Sequence, residues 1–103
     1  SEVDRVGADA LPVLAGALSD PSIGVRANAV RVIARIGGDE AVAPLITALQ
    51  DDALAVRKRA ERALVDMGEA VLPALTLAAA QPEAREEGQR VIDEIRRKET
   101  PAS

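Results

Sequence analysis

The sequence predicts an all-α protein, a stack of about three helix pairs, on three observations. The first is a repeat. The stretch DPSIGVRANAVRVIARIGG, starting at Asp20, returns as DDALAVRKRAERALVDMGE, starting at Asp51, at an offset of 31 residues. Asp20 falls on Asp51, Val25-Arg26 on Val56-Arg57, Ala29 on Ala60, Ile33 on Leu64 and Gly37 on Gly68. The second is periodicity. Val25, Ala29, Val32, Ile33 and Ile36 recur at helical spacing and form one apolar stripe. The third is that no segment alternates with period two over a useful length, so no strand is expected.

Each unit divides into a short apolar helix and a longer amphipathic one. The short helices are expected over 9–18, 39–49 and 69 to about 80, the longer ones over about 22–36, 53–67 and 82–98. In the first two units Leu14 and Leu18 map onto Leu45 and Leu49. The third unit carries deletions. EAVLP at 69–73 echoes EAVAP at 40–44, and AREEGQRVIDEI at 84–95 aligns with VRKRAERALVDM at 56–67 at an offset of 28. Arg85 then sits on Arg57, Gly88 on Ala60, Ile92 on Leu64 and Ile95 on Met67. The repeat units therefore run about 8–37, 39–68 and 69–98.

Punctuation agrees with these divisions. Asp20, Asp51 and Asp52 stand where a side chain can accept the free N–H groups of a helix start. Gly37, Gly38 and Gly68 stand where a helix stop needs a left-handed backbone. Asp20-Pro21 and Gln81-Pro82 mark turns between partner helices. Pro12, Pro44 and Pro73 fall within the first two turns of the short helices, where bent or delayed starts are expected. A pair of short helices cannot bury its own apolar face, so stacked pairs share one continuous core.

The two ends read differently. RVGADALP at 5–12 mimics RIGGDEAVAP at 35–44 across one deletion, so residues 1–7, with Val3 and Val6, read as the tail of a preceding second helix or as a frayed native start. Arg96, Arg97, Lys98 and Glu99 make a polar C-terminal cap, and 99–103 reads as a linker. The chain opens on Ser1 rather than Met, which points to processing or, in better agreement with the ends, to a piece of a longer protein.

Composition removes much chemistry. Apolar residues are 48% and charged residues 29%, but Phe, Tyr, Trp, Cys and His are all absent. There is no disulfide, thiolate nucleophile, imidazole base or soft metal site, and no cofactor is expected. A chain without cysteine agrees with a reducing, cytoplasmic setting. The net charge of −4 gives no global attraction to nucleic acid or to an anionic membrane. The longest apolar run, AVLPALTLAAA at 70–80, falls well short of the roughly 20 residues a membrane-spanning helix needs. Asp51-Asp52 and Glu86-Glu87 are read as caps and solvated helix faces, because adjacent residues on a helix diverge and no nucleophile stands near them. Gly37-Gly38 follows a helix and lacks the lysine and hydroxyl of a phosphate loop.

Two rows of side chains emerge when the second helices are laid on one wheel. Arg26, Arg57 and Arg85 lie on one flank of the apolar stripe. Arg31, Arg62 and Arg90 lie on the other, joined by Asn28, Arg35, Lys58 and Arg59. One reading of the second row is a basic groove that pairs guanidinium groups with an acidic peptide or another anionic surface. The other is a solvated helix face with Glu61 and Asp66 as local partners, diluted in the third unit by Glu86, Glu87 and Glu94.

The pattern, above all AVAPLITALQDDALAVRKRAERALVDMG, resembles the short bacterial HEAT-like repeats, including those of the phycobilisome-lyase type, from about Val6 to Ile95. The resemblance implies a right-handed α-solenoid with six main helices whose second helices line the concave face. It implies that Arg26, Arg57 and Arg85 bridge to the turn aspartates, Asp20 and Asp51, and to neighbouring repeats; Gln81 stands where the third unit would need such an aspartate. Enzyme branches of the family fit poorly. The deoxyhypusine hydroxylases hold iron through His-Glu motifs, and this chain has no histidine. The HEAT-like DNA glycosylases use aromatic residues and a basic surface. The phycobilin lyases need a tetrapyrrole cleft that three repeats without aromatic lining give little room for. The expectation is a non-enzymatic protein-interaction or scaffolding module, monomeric, binding a protein or peptide. The alternative is a structural spacer or oligomerisation unit, packing through Leu11, Leu14, Ala15 and Leu18.

Overall fold

The structure, a computed structural model, describes residues 2–99, with side chains from residue 9 onward. Every regular element among them is helical: α1 (Glu2–Ala17), α2 (Ile23–Ile36), α3 (Asp39–Ala48), α4 (Leu54–Met67), α5 (Leu72–Ala79) and α6 (Arg85–Glu99). Two 3-10 turns, Gly68–Val71 and Pro82–Ala84, precede α5 and α6. The linker expected at 100–103 lies outside the described residues, and Glu99 is the last residue of α6.

Sequence neighbours pair as hairpins, α1 with α2, α3 with α4 and α5 with α6. The hairpins stack in chain order. The first helices α1, α3 and α5 touch in sequence on one side, and the second helices α2, α4 and α6 on the other. Two helix layers give a slab 41 × 34 × 21 Å, its thin dimension about two helix diameters. Between the layers runs one core in which Ile33, Leu45, Leu64, Leu75 and Ile95 are wholly buried. Each such side chain contributes about 1.5–3 kcal/mol relative to exposure. Small residues set the spacing: Ala29, Ala60 and Gly88 occupy equivalent buried positions. A Cβ on Gly88 would sit 3.1 Å from the Ala79 Cβ, so any side chain there would push α5 and α6 apart by a few tenths of an ångström.

The caps are mostly as the sequence expects. Gly37, Gly38 and Gly68 have φ of 64°, 79° and 72°, and the Gly37 N–H donates back to the Ile33 carbonyl at 3.0 Å. Asp20 and Asp51 act two residues ahead of the N-cap, and the Asp52 carboxylate accepts no hydrogen bond among the described residues. Oδ1 of Asp20 accepts the Ser22 N–H at 2.8 Å and Oδ1 of Asp51 accepts the Ala53 N–H at 2.9 Å. Ser22 and Ala53 are themselves the N-cap residues. The aspartates therefore brace the turn before the helix.

Three expectations need correction. Helix α1 runs unbroken from Glu2 through Gly7, so the helix start expected at residue 9 lies inside a longer helix and Pro12 lies deep within it. Pro44 also sits inside α3, whereas Pro73 opens α5 after a 3-10 turn, the delayed start that proline favours. That 3-10 turn changes the register of the third unit. Val71, not Ala70, takes the buried place of Ala41, and Leu75 takes that of Leu45, because a tighter turn advances the chain differently from an α-turn. Finally, Val25 is 42% exposed although it belongs to the apolar stripe, while its counterpart Val56 is fully buried.

Candidate functional site

The first row of arginines is structural in geometry. Arg26 rises from the first turn of α2 over the loop that precedes it. Its Nη1 donates to the carbonyls of Asp20 at 2.8 Å and Pro21 at 3.1 Å. Its Nε and Nη2 donate to Oδ2 and Oδ1 of Asp51, at 2.9 and 3.2 Å, in the next hairpin. The pair is well covered, with side chains 14% and 8% exposed. The carboxylate partner thus comes from the following unit, and the arginine takes only backbone carbonyls from its own turn. Burial pushes the Asp51 carboxyl up, but the Ala53 N–H and the Arg26 guanidinium outweigh it, with Arg57 adding to them, and hold it below the ordinary carboxylate value.

Arg57 repeats the carbonyl half of this pattern. Its Nη1 donates to Asp51 at 2.7 Å and Asp52 at 3.0 Å. Arg85 does not repeat it. It is exposed and makes no hydrogen bond or ion pair among the described residues. Three residues separate Gln81 from Arg85, against five between Asp51 and Arg57, and they are wound as the Pro82–Ala84 3-10 helix.

The second row is exposed throughout. Arg31 donates to Oδ1 of Asn28 at 2.8 and 3.3 Å along the face of α2. Arg35, Arg59, Arg62 and Arg90 are exposed, and Lys58 pairs with Glu61 at 3.7 Å. Between α4 and α6 these faces enclose a shallow hollow of about 460 Å³. Lys58, Glu61, Arg62, Val65 and Asp66 line it from α4, and Glu94 and Lys98 from α6. Three cations against three anions make this hollow mixed in sign rather than basic. Glu61, Asp66 and Glu94 were expected on this face; Lys98 and Val65 were missed by sequence reasoning. Arg97 donates to Glu94 from the other side and holds that carboxyl below its ordinary value.

Charge shifts along the stack. Helix α2 holds Arg26, Arg31 and Arg35 and no acidic residue. Helix α4 mixes Arg57, Lys58, Arg59 and Arg62 with Glu61 and Asp66. Helix α6 balances five cations with five anions.

The surface expected to serve a spacer or oligomer is largely absent. Leu11 is buried, and Leu14 and Leu18 are half-buried against the protein's own core, because α1 turns that stripe toward α2 and α3. Of the four residues, Ala15 alone is exposed. Among the described residues no group of three or more acidic side chains stands where it could hold a metal ion, and no helix is long and apolar enough to cross a membrane.

Helical hairpins stacked in two layers, the first tied to the second by the Arg26–Asp51 pair, define a helical-repeat protein. The family model for HEAT repeats matches residues 9–96, and the chain belongs to that family. No curated protein and no solved structure matches it. HEAT repeats commonly mediate protein–protein contacts.

Proposed function

We infer that this chain is a non-catalytic interaction or scaffolding module that docks a protein partner across the aligned faces of α2, α4 and α6. The reading takes the stack as a right-handed solenoid, with six main helices in units of about 8–37, 39–68 and 69–98 and the second helices on its concave side. A cytoplasmic setting is part of it. The observation that carries it is the row Arg31, Arg62 and Arg90, equivalent residues exposed on the second helices of three successive hairpins, with Asn28, Arg35, Lys58 and Arg59 beside them. The charge gradient gives the docking a direction. An acidic segment of the partner lies over α2 and α4, where arginine dominates, and a segment of mixed charge lies over α6. Specificity then comes from charge order along the ridge and affinity from shape.

The test is a titration of the ¹⁵N-labelled protein with a ten-residue glutamate-rich peptide and its lysine-rich counterpart at low and physiological salt. Amide shifts at Arg31, Arg35 and Arg62 with the acidic peptide, lost in Arg31→Glu/Arg62→Glu, support the reading. Equal responses to both peptides, or none on the second helices, reject it.

A further inference from the structure

Among the described residues the large apolar side chains left exposed are Val13, Ile23, Val25, Leu54 and Leu77. Of these, Ile23 and Leu54 occupy one repeat position, at the offset of 31, and each is the first residue of a second helix. Their exposures agree, 52% and 56%, although α2 opens the row of second helices and α4 lies between α2 and α6. The place in the repeat therefore exposes them, and the end of the chain does not. The third unit puts Pro82 at this position, again exposed. An apolar bead thus stands at the turn of each hairpin, and the three beads follow one edge of the slab.

The edge has a sign. First helices end on it and second helices begin on it, so their dipoles oppose and largely cancel. Arg26 and Arg57 are drawn onto the turn carbonyls, and Lys58, a turn further into α4, is paired with Glu61. The carboxylates of Asp52 and Glu83 are exposed and have no partner among the described residues, and Asp20 has no cation against it there. Against these three carboxylates stands the exposed Arg85.

Spacing selects what can cover the beads. Packed helices lie about 8–10 Å apart, so successive beads are separated by about that distance. An α-helix laid across the edge returns residue i+7 to the side of residue i after about 10.5 Å. An extended segment returns a side chain to the same side after about 6.6 or 13 Å and misses the beads. We propose that the edge formed by Ile23, Leu54 and Pro82 is a docking surface for an amphipathic helix of a partner protein, one with aliphatic residues seven apart and lysine or arginine beside them. The aliphatic side chains cover the beads, and the cations pair with Asp20, Asp52 and Glu83. A second copy of the chain does not fit this description: its net charge is −4, and among the described residues no helix exposes two large aliphatic side chains seven apart. The proposal does not rest on the groove across the second helices.

The experiment uses the full chain and three stapled, fluorescein-labelled helical peptides built on alanine. One carries leucines seven apart flanked by lysines, the second has the same composition with leucines five apart, and the third has glutamate in place of lysine. The first should bind saturably by fluorescence polarisation, more weakly as salt rises, and should shift the amides of Ile23, Leu54 and Glu83 in the ¹⁵N-labelled protein. Ile23→Ser/Leu54→Ser should weaken it at least tenfold while Tm changes by about 2 °C or less, since both side chains are already open to water. Asp52→Asn/Glu83→Gln should weaken it at least threefold. Absence of binding at millimolar peptide, equal binding of the five-spaced or glutamate peptide, or shifts confined to the exposed faces of the second helices overturns the proposal. So does sedimentation of the chain alone as a dimer that Ile23→Ser/Leu54→Ser dissociates, which would assign the edge to a second copy.

Discussion

The guanidinium of Arg26 closes on the carboxylate of Asp51 through two hydrogen bonds of 2.9 and 3.2 Å, across the boundary between two hairpins. The same Asp51 braces its own turn through the Ala53 N–H, and the same Arg26 braces its own turn through two carbonyls. One pair therefore fixes two loops and the angle between two repeats. Bidentate charge-assisted bonds of this kind are stronger and more directional than neutral ones.

Removing either partner is expected to cost about 2–4 kcal/mol, because a largely buried charge is left without its counter-charge. Arg26→Ala and Asp51→Ala should each lower the urea midpoint accordingly, and the double variant should cost clearly less than their sum. Arg26→Lys should not restore stability, since an ammonium cannot serve the two carboxylate oxygens and two carbonyls in one plane. Arg57→Ala should cost only about 1 kcal/mol, as Nη1 gives up two carbonyls and no carboxylate. Equal costs for Arg26→Ala and Arg57→Ala would show that the inter-repeat carboxylate contributes nothing.

Acid should weaken the protein through the same residue. Asp51 titrates below its ordinary value of 3.8 in the folded chain. A group whose folded pKa is depressed adds stability above its unfolded pKa, and that stability is lost as pH falls through the folded value. Urea midpoints measured from pH 6 down to pH 2 should fall most steeply below about pH 4. Asp51→Asn should be weaker at pH 6 and converge toward the parent at the acid end. Parallel curves for the two proteins would remove Asp51 from the acid response.

The helices and their pairing were legible in the sequence because they rest on local rules and on a repeat that states each rule twice. Gly37 and Gly68 mark helix ends wherever the chain folds. What escaped depended on neighbours in space. Val25 and Val56 are the same residue in the same pattern, yet one is exposed and the other sealed, because coverage comes from the preceding hairpin. Ala70 and Val71 could not be assigned without seeing that the chain tightens into a 3-10 turn before Pro73. The basic row and the anions beside it, Glu61, Asp66 and Glu94, were visible as residue types, but that Glu94 and Lys98 of α6 line one hollow with the face of α4 depends on how the two helices pack.

Gly88 is expected to be the least replaceable residue of the third hairpin. Its position packs on the backbone of α5, where a Cβ would stand 3.1 Å from the Ala79 Cβ and 3.3 Å from its Cα. Gly88→Ala sets a gain in helix propensity of about 1 kcal/mol against a forced separation of the two helices, and should come out near neutral or slightly destabilising. Gly88→Val cannot be absorbed in this way and should cost about 2–3 kcal/mol. Chemical denaturation of both variants checks the ranking; a valine variant as stable as the parent would mean that α5 and α6 do not meet there.

The missing carboxylate of the third unit can be supplied. Gln81 occupies the place that Asp51 holds one repeat earlier, and it is followed by Pro82 as Asp20 is followed by Pro21, so the turn already tolerates the dipeptide that Gln81→Asp creates. Arg57 lies poised above, its Nη1 engaged by loop carbonyls while Nε and Nη2 have no partner among the described residues. Gln81→Asp should therefore raise stability by about 1 kcal/mol, less than the more deeply covered Arg26–Asp51 pair contributes, because residue 81 is exposed. The gain should vanish in an Arg57→Ala background and shrink as salt rises. If Gln81→Asp is neutral in both backgrounds, the two residues lost from the turn have carried position 81 out of reach of Arg57. The short 3-10 turn, rather than the glutamine, would then be what ends the ladder.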